Sequence, residues 1–558
     1  MLAHSAQRPS FRQLLLRLGA KAFPPVSIMD SSSDRFRRLR PTIKELMEIG
    51  GTPGLMVAVA TPETLYIDNF GYRDVEKEIS VDADTIFPGA SLTKAITAVA
   101  FSILVDEGKA KWDTPVKDLL PALNSRDETL QNFLTVTDLL CHRHGMAESD
   151  GYAVSAENNC LIRPDDVMRH LNDQERLRPF RQGFSYNNNG YELVGKVIEQ
   201  LSGIPYVEFV KERIFGPLGM NRTFLTTPPP TVDNVAKCYN ALDDRTPALI
   251  TAPQMGNDWW GGASGGIRSS IVDLLKLYKF LLKAFNNNEA SEGTLSLRQG
   301  EYLMSPRVPL ESVSRREASY AMGWARVQLP GRMGHIGINP RYMLDGMPVI
   351  GKGVPSELVM FHQGSLAGAL AFVGLLPDSE SVVLVLSNAL ALNDVPDWVG
   401  QLLLEELLEV PAKLRVNFVE AAKTSAARNL TWFSRVTKLL AEQRTNGTSK
   451  PRDLEAYVGT YWDRARIFKI TVTLEDGKLY RALQGLDTEK FELHHYEGDT
   501  FTWLPSRNEL SRRGLFCGPG PTYWKVEFKA DDDGNGRIRK LIWMRDGAEA
   551  NGHFDKVG

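Results

Sequence analysis

The sequence predicts an α+β chain in which one antiparallel sheet is flanked by a helical layer and followed by a small all-β barrel-like domain. Two features carry that prediction. Strand-like stretches lie near both ends of the first 400 residues, at 55–70 and 358–386, with helical periodicity between them. After about residue 452 the texture changes to short strands separated by turns. A length of 558 residues also exceeds what one ordinary core holds, so two domains are expected.

Residues 1–35 form an N-terminal extension whose first 29 residues contain no acid but include Arg8, Arg12, Arg17 and Lys21. That composition resembles an organellar transit peptide, but the run Leu14-Leu15-Leu16 is short, and a disordered extension or a start upstream of a true Met29 is the preferred reading. The expected location is cytoplasmic, or mitochondrial if the transit reading holds. Residues 36–410 form the first domain. Leu55–Ala60 and Thr64–Phe70 read as an antiparallel hairpin. A helix follows Ser91, with Ile96, Val99, Ala100, Ile103 and Leu104 at helical spacing and Gly108 where a C-terminal cap belongs. Helical pieces are expected at 135–141, 165–172, 191–202, 205–214 and 271–284. Strands follow at Leu358–His362, Ala367–Leu376 and Val382–Leu386, and a helix carrying Val399, Leu402 and Leu403 closes the domain. Residues 411–452 read as a helical linker ending in a polar, Gly- and Pro-containing run. Residues 453–558 carry about seven short strands, the texture of a barrel or sandwich.

Composition excludes several functions. Hydrophobic residues make up 43% and charged residues 24%, with a formal net charge of -3, so nothing electrostatic favours nucleic acid or an anionic membrane. No apolar run is long enough to span a bilayer. The four cysteines are scattered, with no C-x-x-C pair and no His at metal-ligand spacing, so free thiols and no metal or other cofactor are expected.

Chemistry is concentrated at Ser91-Leu92-Thr93-Lys94. Helical spacing places Ser91 and Lys94 on one face, one turn apart. A serine hydroxyl needs a base within reach, and lysine serves only if burial and its neighbours lower its pKa from roughly 10.4. A helix N-terminus opposes protonation of a nearby amine and offers N–H groups to an oxyanion. Taken alone, such a pair is as readily an N-cap and a solvated lysine. It does not stand alone, because Tyr186-Asn187-Asn188 lies 95 residues on and His362-Gln363-Gly364 follows it.

These motifs, in this order and at these distances, resemble the serine β-lactamase and penicillin-binding-protein-like superfamily, in particular its esterase, D-aminopeptidase and acyltransferase branch. Trp112-Asp113-Thr114-Pro115, Asp138-Leu139-Leu140-Cys141-His142 and Gly261-Gly262-Ala263-Ser264 look like family landmarks as well. The likeness covers about residues 40–405 and implies a β-lactamase/transpeptidase-like fold. It implies Ser91 as the acylated nucleophile, Lys94 as its proton acceptor, Tyr186 as an acid/base partner and Asn188 as an amide holding Lys94 and substrate. By the same likeness, His362 stands where β-lactamases carry lysine and donates to substrate or to Tyr186. The backbone N–H groups of Ser91 and Ser365 form an oxyanion hole, each worth ~3 kcal/mol in the transition state. Gly364 lines the cleft. His335-Ile336-Gly337 is a rival third motif, disfavoured because no hairpin of apolar strands follows it. Trp259 and Trp260 either line an acyl pocket or belong to the core; Arg143 and His144 either face the cleft or are loop polars.

The implied function is hydrolysis of a small-molecule ester, amide or peptide substrate. The alternatives are transfer of the acyl group to a small acceptor, or a binding protein on an inactive hydrolase fold. The C-terminal domain resembles the lipocalin-like module of some superfamily members, and homo-oligomerisation through it is left open.

Overall fold

The computed structural model describes residues 31–256, 260–311, 316–445, 449–531, 536–545 and 552–557. The boundary expected at residue 36 falls inside a helix, Ser31–Arg37, whose Phe36 is fully buried against the stacked ring of Tyr66. Residues 31–35 are therefore helix rather than disordered extension, and residues 1–30 lie outside the described residues.

The expected hairpin is β1 (Gly54–Ala60) and β2 (Leu65–Asp74). After it come β3 (Phe87–Ala90), helix α1 (Thr93–Asp106), α2 (Asn188–Ser202) and α3 (Ile271–Asn287). The sheet also contains β4 (Ala325–Gln328), β5 (Leu358–Leu366), β6 (Ala369–Leu376) and β7 (Ser381–Ser387), with the short strands Ile79–Ser80, Val308–Pro309 and Ala318–Tyr320 outside them, and helix α4 (Val395–Leu407) closes the domain. β1 pairs antiparallel with β2 on one side and with β7 on the other, so the first and last parts of the domain meet in one nine-stranded sheet. From β7 the order runs outward through β6, β5 and β4.

Every residue of β1, β6 and β7 is buried, because both sheet faces are covered. Alternation divides their side chains between two cores. Met56, Ala58, Val382, Leu384, Ala371, Val373 and Met360 face the core shared with α1, α2 and α3. Leu55, Val57, Val383, Val385, Phe372 and Phe361 face the core holding Trp398 and Leu403 of α4. The same period carries down β5: His362 and Gly364 share the face of Met360 toward α1, while Gln363 points to α4 and bonds Asp397 there at 2.8 Å. Strand parity alone thus aims position 362 toward α1.

Helix α1 is buried on all sides, not only along the apolar stripe read from sequence, and this is what sinks Lys94. It ends as expected: Gly108 takes φ 72° and the N–H of Lys109 reaches back to the carbonyl of Leu104 at 3.0 Å, a left-handed cap that a Cβ would disfavour.

The segment read as a linker forms α5 (Phe418–Leu430) and α6 (Trp432–Gln443). Phe418 and Ala422 of α5 join the α4 core, whereas Trp432 of α6 packs on Trp524 of the C-terminal domain. Beyond it lies a closed eight-stranded antiparallel barrel, from Gly459–Asp463 to His553–Val557, whose last strand pairs with the first. Seven of these strands were expected. Among the described residues no helix is long and apolar enough to cross a membrane.

Candidate active site

Ser91 sits half-buried between β3 and α1. The residue before it, Ala90, has φ 49°, a left-handed conformation that costs an L-residue roughly 1–2 kcal/mol. Thr93 holds it there, donating from Oγ1 to the Ala90 carbonyl at 2.6 Å and accepting from the Ile267 N–H at 3.0 Å. Lys94, one turn on, is fully buried. Its Nζ lies 3.0 Å from Ser91 Oγ, 2.5 Å from Asn188 Oδ1 and 2.8 Å from the Ser264 carbonyl oxygen. Burial pulls its pKa from 10.5 to about 7, opposed by the charges of Asp150 and Glu192. Glu192 is a buried residue of α2 that accepts from the Ser264 N–H at 2.9 Å, fixing the loop whose carbonyl meets Lys94.

From the opposite wall, Tyr186 donates its hydroxyl to Ser91 Oγ at 2.7 Å. Burial raises its pKa well above that of an ordinary phenol, partly offset by the Ser91 bond, so the group is a proton donor at neutral pH. Its ring packs at 4.4 Å on the imidazole of His142, whose Nδ1 accepts from the Asn187 N–H at 3.0 Å. Burial and the nearby Lys94 drive the pKa of His142 well down, so it packs as a neutral ring. Asn187 caps α2 by accepting from the Gly190 N–H, which presents Asn188 in the first turn with its amide toward Lys94. The other end of that amide donates to Asp150 Oδ2 at 2.7 Å. Asp150 and Glu192 were not singled out from sequence, and Ser264 was noted only within the Gly-rich landmark, with no role at the site.

His362 lies beside Tyr186, with ring centroids 6.2 Å apart, but it does not bond to it. Its Nδ1 donates to the Gln363 carbonyl at 2.6 Å, and its Nε2 faces the Tyr320 hydroxyl at 2.9 Å. The imidazole is buried, and burial together with Lys94 lowers its pKa to about 3. The expected donation to Tyr186 is thus replaced by a neutral ring that accepts from Tyr320; a buried cation beside Lys94 would be unfavourable.

Gly364 is where β5 crosses β3: a Cβ built there would lie 2.3 Å from the Gly89 carbonyl oxygen. That close approach packs β5 against the strand that leads into Ser91. Gly364→Ala is expected to push the two strands apart and lower kcat/KM at least tenfold, together with a loss of stability of about 1–3 kcal/mol from overpacking. Steady-state kinetics beside urea denaturation measures both.

Trp260 is a core residue, 2% exposed, with its indole N–H on Asn189 Oδ1 at 3.1 Å. Trp259 lies outside the described residues. Arg143 pairs with Asp138 at 2.6 Å, and His144 is buried with Nδ1 accepting from the Met146 N–H, so neither is free in the cleft. His335 bonds Glu311 at 2.9 Å, away from the Ser91 constellation. The four cysteines are free.

A two-sided antiparallel sheet with the S-x-x-K serine at its helical flank is a β-lactamase/transpeptidase-like fold. The Beta-lactamase family profile matches residues 39–405, and the chain belongs to that family. A domain of unknown function, DUF3471, matches residues 443–553. Among curated relatives, an unguisins hydrolase from Aspergillus violaceofuscus is 26% identical over 82% of this chain and 81% of its own length. Penicillin-binding protein 4 of Amycolatopsis lactamdurans is 24% identical over 60% of this chain and 81% of that protein. The human mitochondrial serine beta-lactamase-like protein LACTB is 24% identical over 54% and 66%. In fold, an octameric penicillin-binding protein homologue from Pyrococcus abyssi superposes with TM-score 0.54 at 22% identity, covering 93% of this chain and all of the other. A class C beta-lactamase gives TM-score 0.53 at 18% identity over 69% of this chain and 98% of its own.

Proposed function

We propose that the chain hydrolyses an ester or amide through an acyl-enzyme on Ser91, with Lys94 as proton acceptor and Tyr186 as proton donor. The observation that carries this reading is the proton inventory around Lys94. A neutral amine has two N–H groups and one lone pair. The Asn188 and Ser264 oxygens are acceptors only, and they occupy both N–H groups. The lone pair is left facing Ser91 Oγ at 3.0 Å. Tyr186 is the less suitable base, because burial makes its phenolate costly.

The steps follow. Ser91 Oγ attacks the carbonyl carbon as its proton passes to Lys94, and the oxyanion is received by the N–H groups of Ser91 and Ser365. Collapse breaks the scissile bond while Tyr186 protonates the leaving alcohol or amine, and the Lys94 ammonium returns the proton to Tyr186. Water then attacks the acyl-enzyme with the same groups in reverse order, or an acceptor alcohol or amine takes its place. His362 acts through Tyr320 and the β5 backbone as a positioning residue. With no lysine at position 362 to seat a substrate carboxylate, esters and peptides are favoured over β-lactams. One relative is named as a hydrolase and one structural neighbour as an octamer, which supports hydrolysis and keeps self-association through the C-terminal domain within this reading.

A panel of esters, D-amino-acid peptides and a cephalosporin, read by intact mass and peptide mapping, tests it. Expected is a transient adduct of acyl mass on the peptide containing Ser91 with at least one ester or peptide. No adduct and no burst across the panel would leave a binding protein on a hydrolase fold.

A further inference from the structure

The geometry points to the C-terminal barrel as a working part of the active site: it clamps residues 149–161 so that Asp150 sets the orientation of the Asn188 amide. This rests on the hydrolase reading above and adds to it a role for the second domain.

The connection is built from both ends. At the catalytic end, the exposed Asp150 carboxylate at the cleft rim accepts from Asn188 Nδ2 at 2.7 Å. Desolvation within the site raises the Asp150 pKa, opposed by the Asn188 bond and the charge of Lys94. In its ionised form the carboxylate accepts only, so it holds the Asn188 NH2 toward itself and leaves the amide oxygen for Lys94. Were the amide to turn over, its NH2 would face Lys94. The amine would then have to accept there, and its lone pair would be lost to Ser91. Asp150 is thus a positioning residue for the base.

At the other end, the barrel grips the segment that follows. Tyr523 donates its hydroxyl to the Gly151 carbonyl at 2.8 Å. The Arg545 guanidinium, nearly buried and 3.5 Å from Asp463, lies 4.0 Å over the Tyr152 ring, and the Phe468 ring meets that ring in a T-shaped contact with centroids 4.9 Å apart. Ser155 donates to the fully buried Glu489 at 2.8 Å, and the Glu157 N–H donates to the Arg513 carbonyl at 2.7 Å. On the hydrolase side, the same segment holds α2 through Ser149 Oγ, which accepts from Asn189 Nδ2 at 2.6 Å. The segment has little regular structure of its own, only a four-residue helical turn and a three-residue one. Its position therefore depends on what lies on either side, and one of those sides is the barrel.

Two full-length variants test this. Tyr523→Phe removes one hydroxyl from the barrel, and Ser155→Ala removes one from the segment; neither empties a core. In both, amide hydrogen exchange within 149–161 is expected to quicken several-fold while α1 and the sheet are unchanged. Ser91 acylation by a fluorophosphonate is expected to slow roughly 3- to 10-fold in Tyr523→Phe, the size of one lost hydrogen bond. In an Asp150→Ala background, Tyr523→Phe should then slow acylation less than twofold further, because the group it positions is gone. Unchanged exchange in both variants overturns the clamp. Equal fold-losses with and without Asp150 overturn its action through Asn188. Exchange is read without any chemistry at Ser91, so quickened exchange in a protein whose Ser91 takes no label supports the clamp while removing the hydrolase reading.

Discussion

Ser91→Ala is expected to abolish covalent labelling by a fluorophosphonate and to lower turnover on any accepted ester by on the order of 10³–10⁶, the range seen when a nucleophile that acts as a unit with its base is removed. The size follows from the geometry. Lys94 and Tyr186 both converge on one oxygen, at 3.0 and 2.7 Å, and without it neither has a reacting atom to serve. Residual rate would come only from oxyanion donors acting on a bound substrate and water. The fold should barely notice the change. Ser91 contributes two hydrogen bonds at a half-buried site, so stability should move by about 1 kcal/mol in either direction. Turnover, label and thermal midpoint measured together check this, and a variant that keeps its label or more than a tenth of its rate would remove Ser91 as the nucleophile.

The parts of this site legible in the sequence are those fixed by local spacing or strand parity. Ser91 and Lys94 share a helix face whatever the rest of the chain does. His362 is aimed by the period of β5, and its hairpin with β6 separated it from His335. Tyr186 and Asn188 were reached through a resemblance, since no local rule brings them across 95 residues to Ser91. What each of these groups bonds to was not legible. Position 362 faces the site, yet Tyr320, two strands away in the same sheet, takes its Nε2. Asp150 precedes a glycine in a polar loop, and only the meeting of that loop with α2 makes it a partner of Asn188. Trp259-Trp260 illustrates the converse problem. A pocket and a core call for the same apolar ring, and at Trp260 a buried acceptor, Asn189 Oδ1, decided for the core. The eighth barrel strand, His553–Val557, is five residues long and mixed in polarity, so its place depends on the open edge of its neighbours rather than on its own pattern.

Replacing Lys94 with methionine should remove activity and at the same time stabilise the protein, most strongly at low pH. The two effects have one cause. An ammonium that titrates near 10.5 in the unfolded chain is held at about 7 in the native state, chiefly by burial. At about 1.4 kcal/mol per tenfold change, that displacement corresponds to roughly 5 kcal/mol of native-state penalty below pH 7. Between about pH 7 and 10.5 the unfolded chain keeps a proton that the native state has shed, so the penalty shrinks as pH rises and is gone above 10.5. Methionine matches the unbranched stem and carries no proton, so its advantage over lysine should fall by roughly 2–3 kcal/mol from pH 6.5 to pH 9. The loss of bonds to Asn188 and Ser264 lowers the advantage at every pH without altering that slope. Activity of the wild type should move the opposite way, rising about tenfold per pH unit up to about 7 and levelling above it as the amine becomes neutral. Denaturant unfolding of both proteins across this range, set beside the pH–rate profile, tests base and burial together. A stability difference that does not change with pH, or a rate flat between pH 5.5 and 8.5, would show that Lys94 keeps its proton and that another group accepts the proton of Ser91.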